Sequence, residues 1–389
     1  MRFLPQARMI HILMDILLGK TLEELQAVAQ EVGLPRFAGK QLAEWIYVRR
    51  ATSFDEMTNI SLKGREALKA NYTIGRHAPV AEAISKDGTK KYLFRISNSE
   101  AVQQRSGLTS NSEAVYIESV YIPDDDRATL CVSTQAGCKM GCKFCMTGTL
   151  GFHGHLSAAD ILNQIFSIPD SDKLTNIVYM GEGEPMDNLD NVLRSLNAMT
   201  STWGCAWSPK RITVSSVGLL SSPNRLIASS PLQRFIEESD CHLAISLHNP
   251  FSTERQEIMP IEKVNHLSDV IALLKQYDWT HQRRVSFEYI CWGGVNDTPK
   301  HANELLRLLK GIDCRINLIR FHASPIANSQ SPIANSQSSI ANRGSDEQQM
   351  EWLRDYLTAH GITTTIRRSR GEDILAACGM LVNALNEQQ

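Results

Sequence analysis

The chain has 389 residues, 42% hydrophobic and 21% charged, with 40 Lys and Arg against 42 Asp and Glu for a net charge of −2. That length suits two to three domains, and the balance excludes global disorder, collagen-like repeats, coiled coil and a uniformly basic coat. Nine cysteines, an odd number in a chain too large to need disulfide staples, point to metal or redox chemistry rather than a secreted framework.

The most apolar N-terminal run, residues 9–18, is about half the length a bilayer helix needs and carries His11 and Asp15. It has no small-residue cleavage site, so a cytoplasmic protein with no membrane partner is expected. Met14 offers a second start, which would make residues 1–13 an extension. Residues up to about 75 read as a small helical domain. Leu42, Trp45 and Ile46 fall at i, i+3, i+4 behind Pro35, and Ser61 is placed to cap a helix reaching Asn71. Residues 1–91 hold 14 basic and 10 acidic side chains, a local basic lean.

Two strands follow, 92–96 and 115–122, expected to form a hairpin in a linker region spanning 76–123, with the segment SNSEAV repeated at 97 and 110. Beyond residue 123 the pattern alternates. Strands are predicted at 129–133, 177–180, 212–215, 243–247, 285–290, 316–319 and 363–367, and helices at 157–168, 189–199, 267–277, 300–309 and 346–360. Ser157 and Asp160 form a capping-box-like pair. Repeated strand–helix–strand units imply parallel pairing with right-handed crossovers, hence an α/β fold with a partial (β/α) barrel over 124–371 and its sites at the C-terminal strand ends. The heptapeptide SPIANSQ at 324–330 recurs at 331–337 and, degenerately, at 338–344, and reads as a loop insert.

The strongest chemical signal is Cys138-Lys-Met-Gly-Cys142-Lys-Phe-Cys145, directly after the first barrel strand. Three thiolates on one tight loop suit three corners of an iron–sulfur cubane and leave the fourth iron open to a substrate. The plainer alternatives are a zinc knuckle completed by His153 or His155, and an electron carrier, which would want a fourth cysteine. Gly181-Glu182-Gly183-Glu184-Pro185 makes a flexible turn with a carboxylate suited to an ammonium. Ser215 closes one strand and Ser246-Leu247-His248 the next.

The C-x3-C-x2-C run on this background resembles the radical S-adenosylmethionine (SAM) superfamily. The stretches RATLCVSTQAGCKMGCKFC, SLHNPF, INLIRFH and RRSRGEDILAACG, with FAGKQLAEWIY and SFDEMTNIS, narrow the resemblance to the RlmN family of adenine-C2 RNA methyltransferases over roughly residues 20–385. The resemblance implies one [4Fe-4S] cluster on Cys138, Cys142 and Cys145, and two SAM molecules per turnover. SAM would be held by Gly183, Glu184, Ser215, Ser246, Leu247, His248 and His322. It also implies a methyl carrier at Cys378, a resolving thiol at Cys131 that pairs transiently with it, and a proton acceptor at Glu118. The carrier is needed because adenine C2, an electron-poor sp2 carbon, does not attack the methyl of SAM. Taken singly, Cys131 and Cys378 read as small core residues, and Glu118 as an edge-strand carboxylate.

The partners implied are 23S rRNA, tRNA and an electron donor such as flavodoxin or ferredoxin. Phosphate contacts are expected from Arg36, Lys40, Arg49, Arg50, Lys63, Arg65 and Lys69 of the N-terminal domain, and from Arg367, Arg368 and Arg370 near the terminal segment 372–389 that carries Cys378. Cys205, Cys241, Cys291 and Cys314 match no motif. Three positions depart from the family pattern: His322 stands for a usual Asn, Met380 for Gln and Glu182 for Met. The competing activities are adenine-C8 methylation of 23S rRNA, which uses the same cysteines, and radical SAM chemistry on a protein or small molecule.

Overall fold

The computed structural model describes residues 14–96, 115–149, 151–221, 229–280, 285–322, 343–377 and 379–381. Residues 1–13, most of both SNSEAV copies, the repeats up to residue 342 and Cys378 lie outside the described residues.

A two-residue parallel pair, β1 (Asp15–Ile16) with β2 (Tyr72–Thr73), clasps the N-terminal helices α1 (Leu22–Glu31), α2 (Ala38–Ala43) and α3 (Leu62–Asn71). A capping box starts α1: Thr21 accepts the Glu24 N–H, and the Glu24 carboxylate accepts the Thr21 N–H at 2.7 Å. Leu25, Val28 and Ala29 form its buried face. The helix predicted around Trp45 continues α2 as a π turn over Glu44–Val48, which buries Ile46 and Tyr47. Ser61 caps α3 as the sequence indicated.

The core is one ten-stranded sheet. Three antiparallel strands, β3 (Ala81–Ile84), β4 (Lys90–Ile96) and β5 (Val115–Pro123), lead into β6 (Ala128–Cys131). A separate antiparallel pair, β7 (Gln135–Gly137) and β8 (Phe152–His155), then brackets the short helix α4 (Met146–Thr149). The chain next alternates as α5 (Ala158–Phe166), β9 (Asn176–Tyr179), α6 (Leu189–Thr200), β10 (Ile212–Ser216), α7 (Pro231–Glu238) and β11 (His242–Ser246). It ends with α8 (Ser252–Ile258), α9 (Leu267–Leu274), β12 (Val285–Cys291), α10 (Pro299–Leu309), β13 (Cys314–Arg320), α11 (Glu347–Ala359) and β14 (Thr363–Ile366).

Sheet order is β14-β13-β12-β11-β10-β9-β6-β5-β4-β3, with the seven strands from β14 to β6 parallel. β14 and β3 form the two edges, so the barrel is partial, and the β3–β5 hairpins extend its sheet beyond β6. Side chains alternate between a packed outer row, such as Ile212 and Val214 on β10, and an inner row. The inner row at the level of Ser246 is polar: Ser246, Glu288, Asn317 and Thr365 lie in register on adjacent strands.

The helical domain meets the core through arginines. Arg50 donates to the Ser171 carbonyl at 2.9 Å and lies over the Phe166 ring, while Arg76 donates to the carbonyls of Arg50 and Phe166. Arg50 is thus committed to docking rather than to an external phosphate. Among the described residues no helix is long and apolar enough to cross a membrane.

Candidate active site

Cys138, Cys142 and Cys145 occupy the loop that β7 and β8 close. Glycine is required at the closure. Gly137 has φ +72°, and a Cβ there would sit 1.9 Å from the Gly151 carbonyl oxygen. The Cys138 N–H donates to that carbonyl, the Cys145 N–H to Cys142 O and the Gly148 N–H to Cys145 O, so the loop is tightly wound. Burial pushes the Cys138 thiol up to about 12 and raises Cys142 and Cys145 as well. For Cys142 the next causes are its two companions, Cys145 and Cys138, and Cys145 also raises Cys138.

Three half-buried thiols on one tight loop, with Cys142 opposed in its ionisation by both companions, form a site whose thiolate state needs a cation, which is what an iron–sulfur cluster supplies. The residues therefore fit the group. Among the described residues no three His, Cys, Asp or Glu side chains converge on a single metal ion. His155, the alternative zinc ligand, is engaged through Nδ1 with Gln135 Nε2 at 3.1 Å and lies 4.0 Å from Asp187.

The glycine-rich turn leaves β9 beside this loop. Gly183 has φ +102°, and a Cβ would strike the Gln135 side chain at 2.5 Å. Glu184 is buried. Its carboxylate accepts from the Ser216 hydroxyl at 2.5 Å and from the N–H groups of Val217 and Met186 at 2.9 and 3.0 Å. Burial raises its carboxyl to about 7, and an ammonium arriving at this rim would offset that rise. Ser216, not Ser215, touches Glu184. Ser215 points to the opposite, inner face, half-buried.

Leu247 is wholly buried, so its main chain is what it offers at the rim. His248 adopts φ +56°, accepts the Ile290 N–H at Nδ1 (3.1 Å) and packs edge-on against Phe144, 4.9 Å between centroids. Burial holds its ring neutral, with its pKa down to about 3. The predicted SAM-side histidine and the cluster loop are thereby in contact. His322, just beyond β13, is held by Ser369 and Glu372.

Beneath the Ser246–His248 turn lies Arg255, 1% exposed, which donates to the Leu247 carbonyl at 3.0 Å and the Ser246 carbonyl at 2.9 Å and pairs with buried Glu262. Glu262 also accepts from the Ser252 hydroxyl and the Leu267 N–H. Arg255→Met is expected to lower stability by about 3–5 kcal/mol, because it strands a buried carboxylate. Adding Glu262→Leu should recover most of the loss, as chemical denaturation would measure.

Glu118 is 3% exposed on β5, with Lys91 Nζ 2.9 Å from its Oε1. Cys131 ends β6 opposite Val120 and packs on a small apolar cluster of Val120, Ala376 and Leu381. Ala376 and Leu381 bracket position 378. On its C-terminal side the Gly379 carbonyl accepts the Met146 N–H at 2.8 Å, one residue beyond Cys145. The neighbours of Cys378 thus reach both Cys131 and the cluster loop. Glu288 escaped the sequence reading, although a carboxylate within the apolar strand VSFEYIC is the same signal that marked Glu118. It binds Asn317 at 2.7 Å and Arg367 at 3.2 Å, so Arg367 faces the barrel interior rather than an external phosphate.

The chain is similar to known proteins over almost its whole length. Residues 16–74 match the family model for the ribosomal RNA large subunit methyltransferase N-terminal domain, and residues 132–309 match the radical SAM superfamily. A "Probable dual-specificity RNA methyltransferase RlmN" from Bacteroides fragilis is 54% identical, covering 96% of this chain and 97% of the relative. A "Dual-specificity RNA methyltransferase RlmN" from Syntrophobacter fumaroxidans is 37% identical, covering 93% and 96%. The crystal structure of a radical SAM methyltransferase from Sphaerobacter thermophilus superposes with a TM-score of 0.77 at 32% identity, covering 94% of this chain and 98% of that one.

Proposed function

The chain belongs to the RlmN family of radical SAM RNA methyltransferases, and on that premise we propose that it methylates C2 of a specific adenosine in 23S rRNA and in tRNA. A [4Fe-4S] cluster and SAM are the cofactors of this family, with SAM used twice. The cluster is assigned to Cys138, Cys142 and Cys145, and SAM to Gly183, Glu184, Ser215, Ser246, Leu247, His248 and His322. Bound together, cluster and SAM supply a methyl group for Cys378 and the hydrogen-abstracting radical that activates it. The remaining work falls to the chain. Cys378 carries the carbon to the base, and Glu118 takes the proton from C2. The Cys131 thiolate then attacks the Cys378 sulfur, forming a disulfide as the carbon–sulfur bond to RNA breaks; the bonding pair leaves on the carbon, which takes a proton to become the methyl group on C2.

The observation that carries this reading is the convergence on Cys131 and the cluster loop of the residues that bracket Cys378. Neither an electron carrier nor a general radical SAM enzyme needs a second thiol at that place. The helical domain, with Arg36, Lys40 and Lys63, is assigned to RNA backbone contact. Arg49 and Lys69 are already paired with acidic neighbours, Glu44 and Asp55. The target adenine must leave its stack to enter the barrel mouth. The electron donor is assigned to the flavodoxin or ferredoxin class, and the site of action to the cytoplasm.

Mass spectrometry of nucleosides from rRNA and tRNA of a deletion strain, with and without this gene, tests the proposal. Gene-dependent 2-methyladenosine is expected in both RNA classes. Gene-dependent 8-methyladenosine, or no change in either class, would overturn it.

A further inference from the structure

Glu182 is a buried carboxylate, 2% exposed, to which the proposed reaction assigns no role. Its position is specific. Oε1 accepts the main-chain N–H of Glu118 at 2.8 Å, and Oε2 accepts the N–H of Gly137, the residue before Cys138, at 3.3 Å. The Glu182 N–H in turn donates to Ser133 Oγ at 2.9 Å, and the Ser133 hydroxyl donates to the Glu118 carbonyl at 2.6 Å. Both peptide groups of Glu118 are thereby closed into a ring with Glu182 and Ser133.

The ring stands where the sheet stops doing this work. The β5–β6 ladder ends at Val120 opposite Cys131, and the Ser133 N–H, which would face Glu118 if the ladder went on, donates to Gln164 Oε1 at 2.8 Å instead. Glu118 lies two residues past the end of that ladder, on the strand edge that β6 has left. A buried main-chain N–H without an acceptor is costly, and the Glu182 carboxyl group relieves it; the two N–H groups in turn lower a carboxyl that burial and the neighbouring Glu118 charge raise to about 8. The turn cannot drift, because a Cβ on Gly181 would meet the Val132 carbonyl at 2.8 Å and Ser133 Oγ at 2.7 Å.

We infer that Glu182 is a positioning residue for proton removal: by gripping the main chain at Glu118 and at Gly137 with one carboxylate, it fixes the proton acceptor relative to the cluster loop. The inference rests on the assignment of Glu118 as proton acceptor. Lys91 fixes the Glu118 carboxylate from the other end, so the side chain is held at its head by a lysine and at its root by Glu182. A misplacement of about 1 Å in a reacting group costs on the order of a hundredfold in rate. Loss of this grip should therefore slow the step after the RNA is bonded to the protein and leave the earlier ones intact.

The test uses cluster-reconstituted full-length protein with total rRNA from a deletion strain, and reads iron content, methylation of Cys378, covalently held RNA and released product. With Glu182→Ala, iron and Cys378 methylation should stay within about twofold, released product should fall roughly ten- to a hundredfold, and covalently held RNA should accumulate. Glu182→Gln keeps an acceptor oxygen for the Glu118 N–H and should restore most of the release. An unchanged ratio of held to released RNA in Glu182→Ala would overturn the inference. So would parallel loss of iron, methylation and product in both variants, which would mark a purely structural residue. Failure of the unaltered protein to methylate Cys378 or the RNA would instead refute the underlying reaction, a separate and visible outcome.

Discussion

Cys142→Ala protein is expected to purify anaerobically without brown colour, with iron near background and no methylated product, while keeping its fold. Cys142 is the central member of the three-cysteine run, and its thiol is raised both by burial and by its two companions. The charge of three thiolates crowded on one half-buried loop calls for iron to share it, and two remaining cysteines leave a cubane with half its corners unheld. The loop itself is closed by other means: the β7–β8 pairing, the Cys138 N–H to the Gly151 carbonyl, and the Lys143 N–H to the Ile258 carbonyl at 2.9 Å. Changing sulfur to a methyl group there should cost no more than about 1 kcal/mol of stability. Iron analysis and visible absorbance decide the matter, with circular dichroism as the control for folding. Iron at wild-type stoichiometry in this variant would show that Cys142 is not a ligand and would remove the basis of the assigned chemistry.

The barrel and the cluster loop were legible because each rests on a local pattern. Apolar runs bounded by turns gave all seven parallel strands to within a few residues, and the capping box at Ser157 is present with Asp160 as its partner. What escaped was short, half-exposed or dependent on register. β3 is largely exposed, so Ala81–Ile84 shows no alternation to read. β7 and β8 are three and four residues long and contain Gly137 and Gly154, which read as loop. Ser215 and Ser216 differ by one position, and in a strand that reverses the face, so only the register decides which one meets Glu184.

Charge was read least well. Arg50 and Arg367 look in sequence like any phosphate-binding arginine, yet each is committed to a partner far along the chain, Ser171 and Glu288. Glu182 was visible only as a departure from the family pattern. Its partners, Glu118 and Gly137, lie more than 40 residues away, and no local spacing announces such a contact.

The second large effect is expected at Cys131. With Cys131→Ala the RNA should become bonded to the protein and stay there, so that nucleic acid co-purifies through denaturation and disappears on nuclease treatment only down to a short tethered remnant. The physical reason is that, in the proposed reaction, release needs a thiolate able to reach the Cys378 sulfur. Cys131, at the end of β6 and packed with Val120, Ala376 and Leu381, is placed beside the residues that bracket position 378. Removing one sulfur from this small, partly open cluster should cost about 1 kcal/mol, too little to unfold the chain, so the adduct is a kinetic dead end rather than a folding defect. Cys131→Ser should behave alike, since a hydroxyl at neutral pH is a poor nucleophile toward sulfur. The double variant Cys131→Ala with Cys378→Ala should carry no RNA at all, because the carbon bridge has no sulfur to start from. Denaturing gels and intact mass spectrometry separate these cases. Multiple turnovers by Cys131→Ala without retained RNA would show that another group performs the release, and bound RNA in the double variant would show that Cys378 is not the point of attachment.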